Sequence, residues 1–321
     1  MTPAGALLAA EIARSGPISF HRFMEVALYH PEHGYYRRGR DPFGKHGDYY
    51  TAEQVQPVFG ILVASLVGSL ARELGAEKDF EVVELGAGRA EMREFLSAFR
   101  YVPVEIGERM PDRIRGLVFA NEFFDALPVH VAVKRHGGFH EMLVGVRGQD
   151  FAWVEGPPVA PDLAEYLDRF ASTAEEGTWV EAAPRALAWI DEIDRRLADG
   201  WLLVIDYGYT AAELVRFPAG TLMSYSKHAA SEDVLARPGE CDITAHVPFT
   251  ALEERASQRG FTTLRFESLA RMLLRIGELD QFARALAAST EAESIRRRLQ
   301  LKSLLFGMGE SFRVLLLARR A

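Results

Sequence analysis

Two short stretches carry residue types that could do chemistry. The first is Val82-Val83-Glu84-Leu85-Gly86-Ala87-Gly88-Arg89-Ala90, an acid at the end of an apolar run followed by Gly-x-Gly. Gly86 permits a sharp turn, and Gly88 lets a ligand approach the backbone with no Cβ in the way. A dinucleotide fingerprint would place its third glycine at position 91, where this chain has Glu91. A pyrophosphate would meet that acid, so a cofactor without phosphates fits better. A ribose-binding acid is expected about 20 residues further on; Glu105 stands there, with Glu108 as competitor. The second stretch is Ala120-Asn121-Glu122-Phe123-Phe124-Asp125-Ala126-Leu127-Pro128. It follows an apolar run, at the kind of strand end where open α/β sheets bind ligands. Glu122 and Asp125 share a face if the chain turns helical there.

Phe80–Leu85 reads as a short apolar strand and Trp201–Ile205 as a buried-type one, and Tyr101–Ile106, Gly116–Ala120, Gly260–Phe266 and Ser311–Ala318 read as further strands. Val58–Leu74, Ala90–Phe99, Pro161–Phe170, Pro184–Leu197 and Thr250–Arg259 read as helices, and more helix fills much of 268–305. Ser19 is placed to cap a helix carrying Phe20, Phe23, Met24 and Leu28. The alternation implies an α/β fold, a mainly parallel sheet covered on both faces. Val129–Val154 has the texture of an antiparallel meander, and Gly208–Pro248 reads mostly as loop. The expected organisation is an N-terminal helical and loop region, 1–79, packed on a core, 80–321. Insertions are expected at about 129–160 and 208–250. Tyr29–Tyr50, rich in Gly, Pro, His and Tyr, is a long loop of the kind that carries function.

Composition narrows the classes. The chain has 321 residues and a formal charge of −8, with 48% apolar and 26% charged residues. Those are values of a globular protein with a sizeable core. The negative charge gives no global footprint for nucleic acid or an anionic membrane, although local patches are compatible with it. One cysteine, Cys241, excludes an intramolecular disulfide and a Cys-rich metal site. His30 and His33 lack further ligands at suitable spacing, so no metal is expected. No stretch of 18 apolar residues occurs, so membrane insertion is not expected. The opening Met1–Ser19 lacks a basic leader region and reads as a helix, and the expected location is cytoplasmic. Arg296-Arg297-Arg298 reads as a solvated helix face.

The Glu-x-Gly-x-Gly-x-Ala form resembles motif I of S-adenosylmethionine-dependent methyltransferases, in which the loop holds the amino-acid end of a sulfonium cofactor; Glu84 suits its ammonium. Five further motifs, HPEHGYY, GDYYTAE, NEFFDALPV, DYG and DITAHVPF, occur in order between about Ile18 and Val314. Together they resemble the MidA-like methyltransferase family, which includes a mitochondrial complex I assembly factor reported to methylate arginine. The resemblance implies a Rossmann-like class I methyltransferase sheet with an antiparallel last strand, and S-adenosyl-L-methionine as cofactor. The family's glycine motif falls on Glu84, Gly86 and Gly88, with Ala90 for its third glycine. Its Asn-Glu-Phe-Phe-Asp falls on Asn121 to Asp125, and its Gly-Asp-Phe-x-Thr on Gly47, Asp48, Tyr49 and Thr51. Asp206, Tyr207 and Gly208 match, as do Asp242 to His246. One departure stands out. The family carries a longer stretch before Asn-Glu-Phe-Phe-Asp, enough for a second strand, a helix and a third strand. Here a strand–helix pair is lost or compressed into 101–115, so Glu105 is either the ribose acid or part of a surviving third strand.

The resemblance implies an arginine of a partner protein, such as a respiratory complex I subunit, as methyl acceptor. Glu122 and Asp125 would then grip the guanidinium, with Asp48, Asp206 or Asp242 as further acidic lining. His246 is a candidate base, or equally a histidine holding its own loop. The cofactor-binding set is Glu84, Gly86, Ala87, Gly88, Glu105, Asn121, Asp48 and Thr51; the catalytic set is Asn121, Glu122, Asp125 and His246. A homodimer is compatible with this reading. Two alternatives stay open: a small-molecule methyltransferase on the same scaffold, and a non-catalytic assembly factor that keeps the fold.

Overall fold

The computed structural model describes residues 1–37, 56–227 and 229–320. Chain contacts divide the protein into two units. One takes Met1–Tyr50, Asp125–Ala188 and Tyr209–Ala251; the other takes Thr51–Phe124, Trp189–Gly208 and Leu252–Ala321. The expected 1–79 region is thus shared between them, and helix Val58–Leu74 belongs with the sheet that follows it.

In the unit that carries the glycine motif, strands lie side by side in the order Thr262–Ser268, Phe312–Arg319, Leu197–Tyr209, Ile114–Asn121, Glu81–Leu85, Arg100–Val104. The last four are joined by parallel ladders, and Phe312–Arg319 runs antiparallel to both its neighbours. This is the mainly parallel sheet with an antiparallel last strand. Alternate side chains explain its burial. Leu117, Phe119, Trp201, Leu203, Ile205, Phe312 and Val314 share one core with Val58, Phe59, Leu62, Val63 and Leu66 of helix Val58–Leu74. Val83, Val118, Leu202, Val204 and Leu315, on the intervening positions, are equally buried, so both faces of the sheet are covered. Each such side chain contributes about 1.5–3 kcal/mol by leaving water.

The compressed segment resolves clearly. Strand Arg100–Val104 pairs directly and in parallel with Glu81–Leu85, in the register Glu81↔Arg100 to Leu85↔Val104. Among the described residues no strand lies beyond it. It therefore takes the second-strand place, and the missing pair is the helix and third strand. An ion pair pins its first residue: Arg100 Nε lies 3.2 Å from Glu81 Oε1. Burial pushes the Glu81 carboxyl above its usual range, and Arg100 opposes that shift.

The expected helix Ala90–Phe99 does not form. Only a 3₁₀ turn, Glu91–Arg93, follows the glycine loop, and further turns lead to Arg100. Gly86, Gly88 and Ala90 all take positive φ, at 67°, 52° and 54°. An α-helix cannot start through such residues. Met92 and Leu96 are nevertheless buried in the sheet's core.

In the other unit, the meander expected over 129–154 is present. Gly138–Arg147 pairs antiparallel with His130–Arg135, Asp150–Pro158 and Ile18–Ser19, and His130–Arg135 pairs with Trp179–Ala182. Its core gathers Phe139, Tyr166, Leu167, Val180 and Leu214. Ser19 caps helix Phe20–Tyr29 as expected, accepting from Arg22 N at 3.2 Å. Gly208–Pro248, expected as mostly loop, holds a short 3₁₀ helix, Ala211–Arg216, and more strand than expected. Met223–Ser226 pairs with Ala229–Ser231 and with Asp242–Thr244 in a small antiparallel sheet.

Candidate functional site

Parallel register aligns the chemistry-bearing residues. Leu85 is level with Val104 on one side and Ala120 on the other. The next residues along, Glu105, Gly86 and Asn121, therefore emerge together at three adjacent carboxyl ends. Asn121 is in turn level with Ile205, so Asp206 follows at the fourth. From Glu81–Leu85 the chain first goes outward to Arg100–Val104 and then returns to the opposite flank as Ile114–Asn121. Strand order thus reverses at the glycine loop, the place where such sheets bind ligands.

The loop and the edge-strand acid are joined. Gly88 N donates to Glu105 Oε1 at 2.7 Å, and Gly86 N donates to Val104 O at 2.8 Å. Glu105 Oε2 takes no protein donor among the described residues. A carboxylate with one oxygen on the loop and the other open suits a ribose diol. Glu108 is used differently, accepting the Glu105 amide at 2.9 Å. The choice between the two acids therefore falls on Glu105, at the end of the second strand.

Glu84 is buried below the loop, and Tyr101 Oη donates to its Oε2 in a short contact. The Tyr101 ring in turn lies under the Arg93 guanidinium, 4.9 Å from its centroid. Tyr101 was not among the expected site residues. Its reach to Glu84 depends on the ladder pairing it with Val82, one pleat below.

The second motif turns sharply rather than entering a helix, so Glu122 and Asp125 do not share a helical face. Glu122 has φ of 50°, and its amide donates to Ile205 O at 2.9 Å. A bulky residue in that region is strained, and such strain clusters at functional sites. Asn121 Nδ2 donates to Glu122 Oε1 at 3.3 Å, while its buried Oδ1 has no donor among the described residues. The Phe123 ring lies edge-on to Trp189 at 5.0 Å and close against Gly86, where a Cβ would meet Phe123 Cδ2 at 2.8 Å. Asp206 is not an acidic lining. It is fully buried, with Oδ2 accepting Phe124 N at 3.0 Å and Oδ1 accepting Tyr207 N at 2.8 Å. It fixes the turn that presents Asn121 and Glu122.

The other unit collects the remaining motifs. Tyr36 Oη donates to Asp242 Oδ1 at 2.7 Å, Tyr29 Oη to Ala126 O at 2.8 Å, and Ala245 N to Asp125 O at 2.9 Å. Asp242 is buried and also accepts Ile243 N, so it too holds backbone. The His246 amide donates to Thr221 Oγ1 at 2.9 Å, and its ring sits edge-on to Phe217. Burial lowers its pKa, which keeps the imidazole neutral near pH 7. Asp48 and Thr51 lie outside the described residues. Among the described residues, no group of three or more His, Cys, Asp or Glu could hold a metal ion, and no helix is long and apolar enough to cross a membrane.

The residues present fit a sulfonium cofactor. Glu84 and the unfilled Asn121 Oδ1 would accept from its ammonium, the backbone of Gly86 to Gly88 leaves room for it, and Glu105 Oε2 would be open to its ribose diol. Comparison with known proteins agrees. Residues 101–267 match the model of a family described as S-adenosyl-L-methionine-dependent methyltransferases. The bovine (Bos taurus) mitochondrial protein arginine methyltransferase NDUFAF7 is 28% identical, over 99% of this chain and 83% of its own. The Drosophila melanogaster homologue is 29% identical, over 79% of this chain and 70% of its own. A Burkholderia thailandensis crystal structure bound to S-adenosyl-homocysteine superposes with a TM-score of 0.86 at 29% identity, covering 98% of this chain and 92% of that one. The chain therefore belongs to the MidA-like family of S-adenosyl-L-methionine-dependent methyltransferases, with the class I fold and that cofactor.

Proposed function

We propose that the chain methylates an arginine side chain of a protein. The observation that carries this reading is the pair Asn121 and Glu122, held at the switch point of the sheet by Asp206 and the strained Glu122 backbone. The relatives named protein arginine methyltransferases support the choice of acceptor.

S-Adenosylmethionine supplies an electrophilic methyl group when bound. Everything else falls to the protein. Glu84, Gly86, Ala87, Gly88 and Asn121 would hold the amino-acid end, and Glu105 the ribose. A guanidinium is charged at any working pH, so its nitrogen is a poor nucleophile until a carboxylate orients it and draws its proton. Glu122 is the proposed group. A carboxylate takes the guanidinium through paired N–H···O bonds, which fixes one nitrogen's direction. Alignment of this kind contributes much of the acceleration available to a displacement reaction. The cytoplasmic location and a respiratory complex I subunit as acceptor extend the same proposal.

Incubating the protein with methyl-labelled cofactor and an extract from cells lacking it tests the reading. Labelled methylarginine should appear after hydrolysis. Glu122→Gln should lower incorporation at least about a hundredfold, the loss of a positioned charged contact, while S-adenosylhomocysteine still binds. Label only in small molecules would favour the small-molecule alternative, and cofactor binding without any transfer the non-catalytic one.

A further inference from the structure

The C-terminal helix Glu291–Ser303 presents an outward surface with an unusual order of residues. Ile295 and Leu299, one turn apart, are 53% and 61% exposed, and Phe306, on the π-turn that continues the helix, is 78% exposed. Arg296, Arg298 and Lys302 are also exposed and make no ion pair among the described residues. At 100° per residue, Ile295 and Leu299 lie at the centre of the exposed face, with Arg298 and Lys302 to one side and Arg296 to the other. Arg297 points elsewhere, half-buried on Glu293 at 2.6 Å. The helix has no buried residue of its own until Leu304 anchors its end. A helix held mainly for solubility would carry its charges at the centre of this face. Here the centre is apolar and protruding, and the cations form its margins.

We infer that this surface docks on an anionic lipid membrane, lying in the headgroup plane. An apolar ridge edged by Lys and Arg is the arrangement by which helices bind such interfaces. Charge complementarity selects this occupant over a second copy. A two-fold contact through the ridge would bring the Arg296, Arg298 and Lys302 of one chain against those of the other, with no acidic residue on the ridge between Glu293 and Glu310 to compensate. The protein's net charge of −8 opposes approach of its other faces to anionic lipid, so binding through this helix would be oriented. Screening confines that repulsion to about 10 Å.

Sedimentation of the full chain with vesicles tests the inference. Phosphatidylcholine vesicles containing about one-third phosphatidylglycerol should bind it, and pure phosphatidylcholine should bind it at least about tenfold less. Replacing Arg296, Arg298 and Lys302 together by Gln should lower the partition coefficient about a hundredfold, from three lost cations. Ile295→Ser with Phe306→Ser should also abolish binding, with unfolding midpoints of both variants unchanged, since these side chains are exposed. Equal recovery on neutral and anionic vesicles would overturn the inference. So would no binding to either, or a dimer in light scattering that the Ser variant splits while wild type ignores lipid. None of these readouts involves methyl transfer.

Discussion

The amide of Gly88 donates to Glu105 Oε1 at 2.7 Å, tying the glycine loop to the end of the neighbouring strand. That single bond decides what the shortened 101–115 segment means. The strand it closes on takes the second-strand place, which makes Glu105 the acid proposed for the ribose. Loss of the helix and third strand leaves Arg100–Val104 as the sheet's edge. Pro103 and half-buried side chains keep it from offering a full ladder to another strand.

Glu105→Ala should therefore loosen the loop and remove the diol acceptor together. The expected loss of S-adenosylhomocysteine affinity is about 10- to 100-fold, the size of a charge-assisted hydrogen bond. Glu108→Ala should change it by no more than about twofold. Calorimetry on both variants checks the pair. Equal losses would mean the two acids had been assigned wrongly.

Ala90→Gly should stabilise the protein by up to about 1 kcal/mol. Ala90 stands at φ 54°, where an L side chain costs roughly 1–2 kcal/mol, partly offset by glycine's larger unfolded-state entropy. Urea unfolding midpoints measure the change, and a lower midpoint for the variant would contradict the backbone assignment.

Glu122→Gly should separate stability from activity. Its φ of 50° is relieved by glycine, so the fold gains up to about 1 kcal/mol while methyl transfer is lost. A variant that lost both would show that the Glu122 side chain also holds the turn.

Glu181 makes a pH prediction. It is buried, with Thr221 N on Oε1 at 2.8 Å and Thr221 Oγ1 near Oε2 at 3.0 Å. Burial raises its pKa, and the Thr221 bonds oppose that shift. A carboxyl with a raised folded pKa holds more protons folded than unfolded. Its contribution is complete below the unfolded value near 4.5 and is lost as pH rises through the folded pKa. Glu181→Gln should remove that part of the pH dependence. Stability curves for the two proteins should diverge above about pH 4.5, with wild type falling more steeply. Parallel curves would mean the carboxylate is fully compensated.

Much of this was legible in the sequence, and the parts that were not have physical reasons. Buried apolar runs marked the central strands at Glu81–Leu85, Ile114–Asn121, Leu197–Tyr209 and Phe312–Arg319, because strands covered on both faces leave no alternation to misread. The glycine loop and Asn121-Glu122 stood out by residue type and by their place after apolar runs, and the register brings them to adjacent strand ends. The missing helix after Gly88 was not legible, because Ala90 gives no sign that it takes a left-handed conformation. Whether Arg100–Val104 was the second or third strand depended on its ladder partner, which no single strand reveals. Asp206 read as part of an acidic lining, and only packing showed that both its oxygens hold backbone. Ser, Ala and Tyr in 223–231 hid a small sheet inside what composition presents as loop.

The most direct test of the account is a calorimetric titration of the protein with S-adenosylhomocysteine, beside Gly88→Val. Saturable binding near micromolar Kd is expected, abolished in the variant while its fold is retained. No binding by the unaltered protein at millimolar ligand, or equal binding by both proteins, would contradict the assignment of the Gly86–Gly88 and Glu105 cradle as the cofactor site.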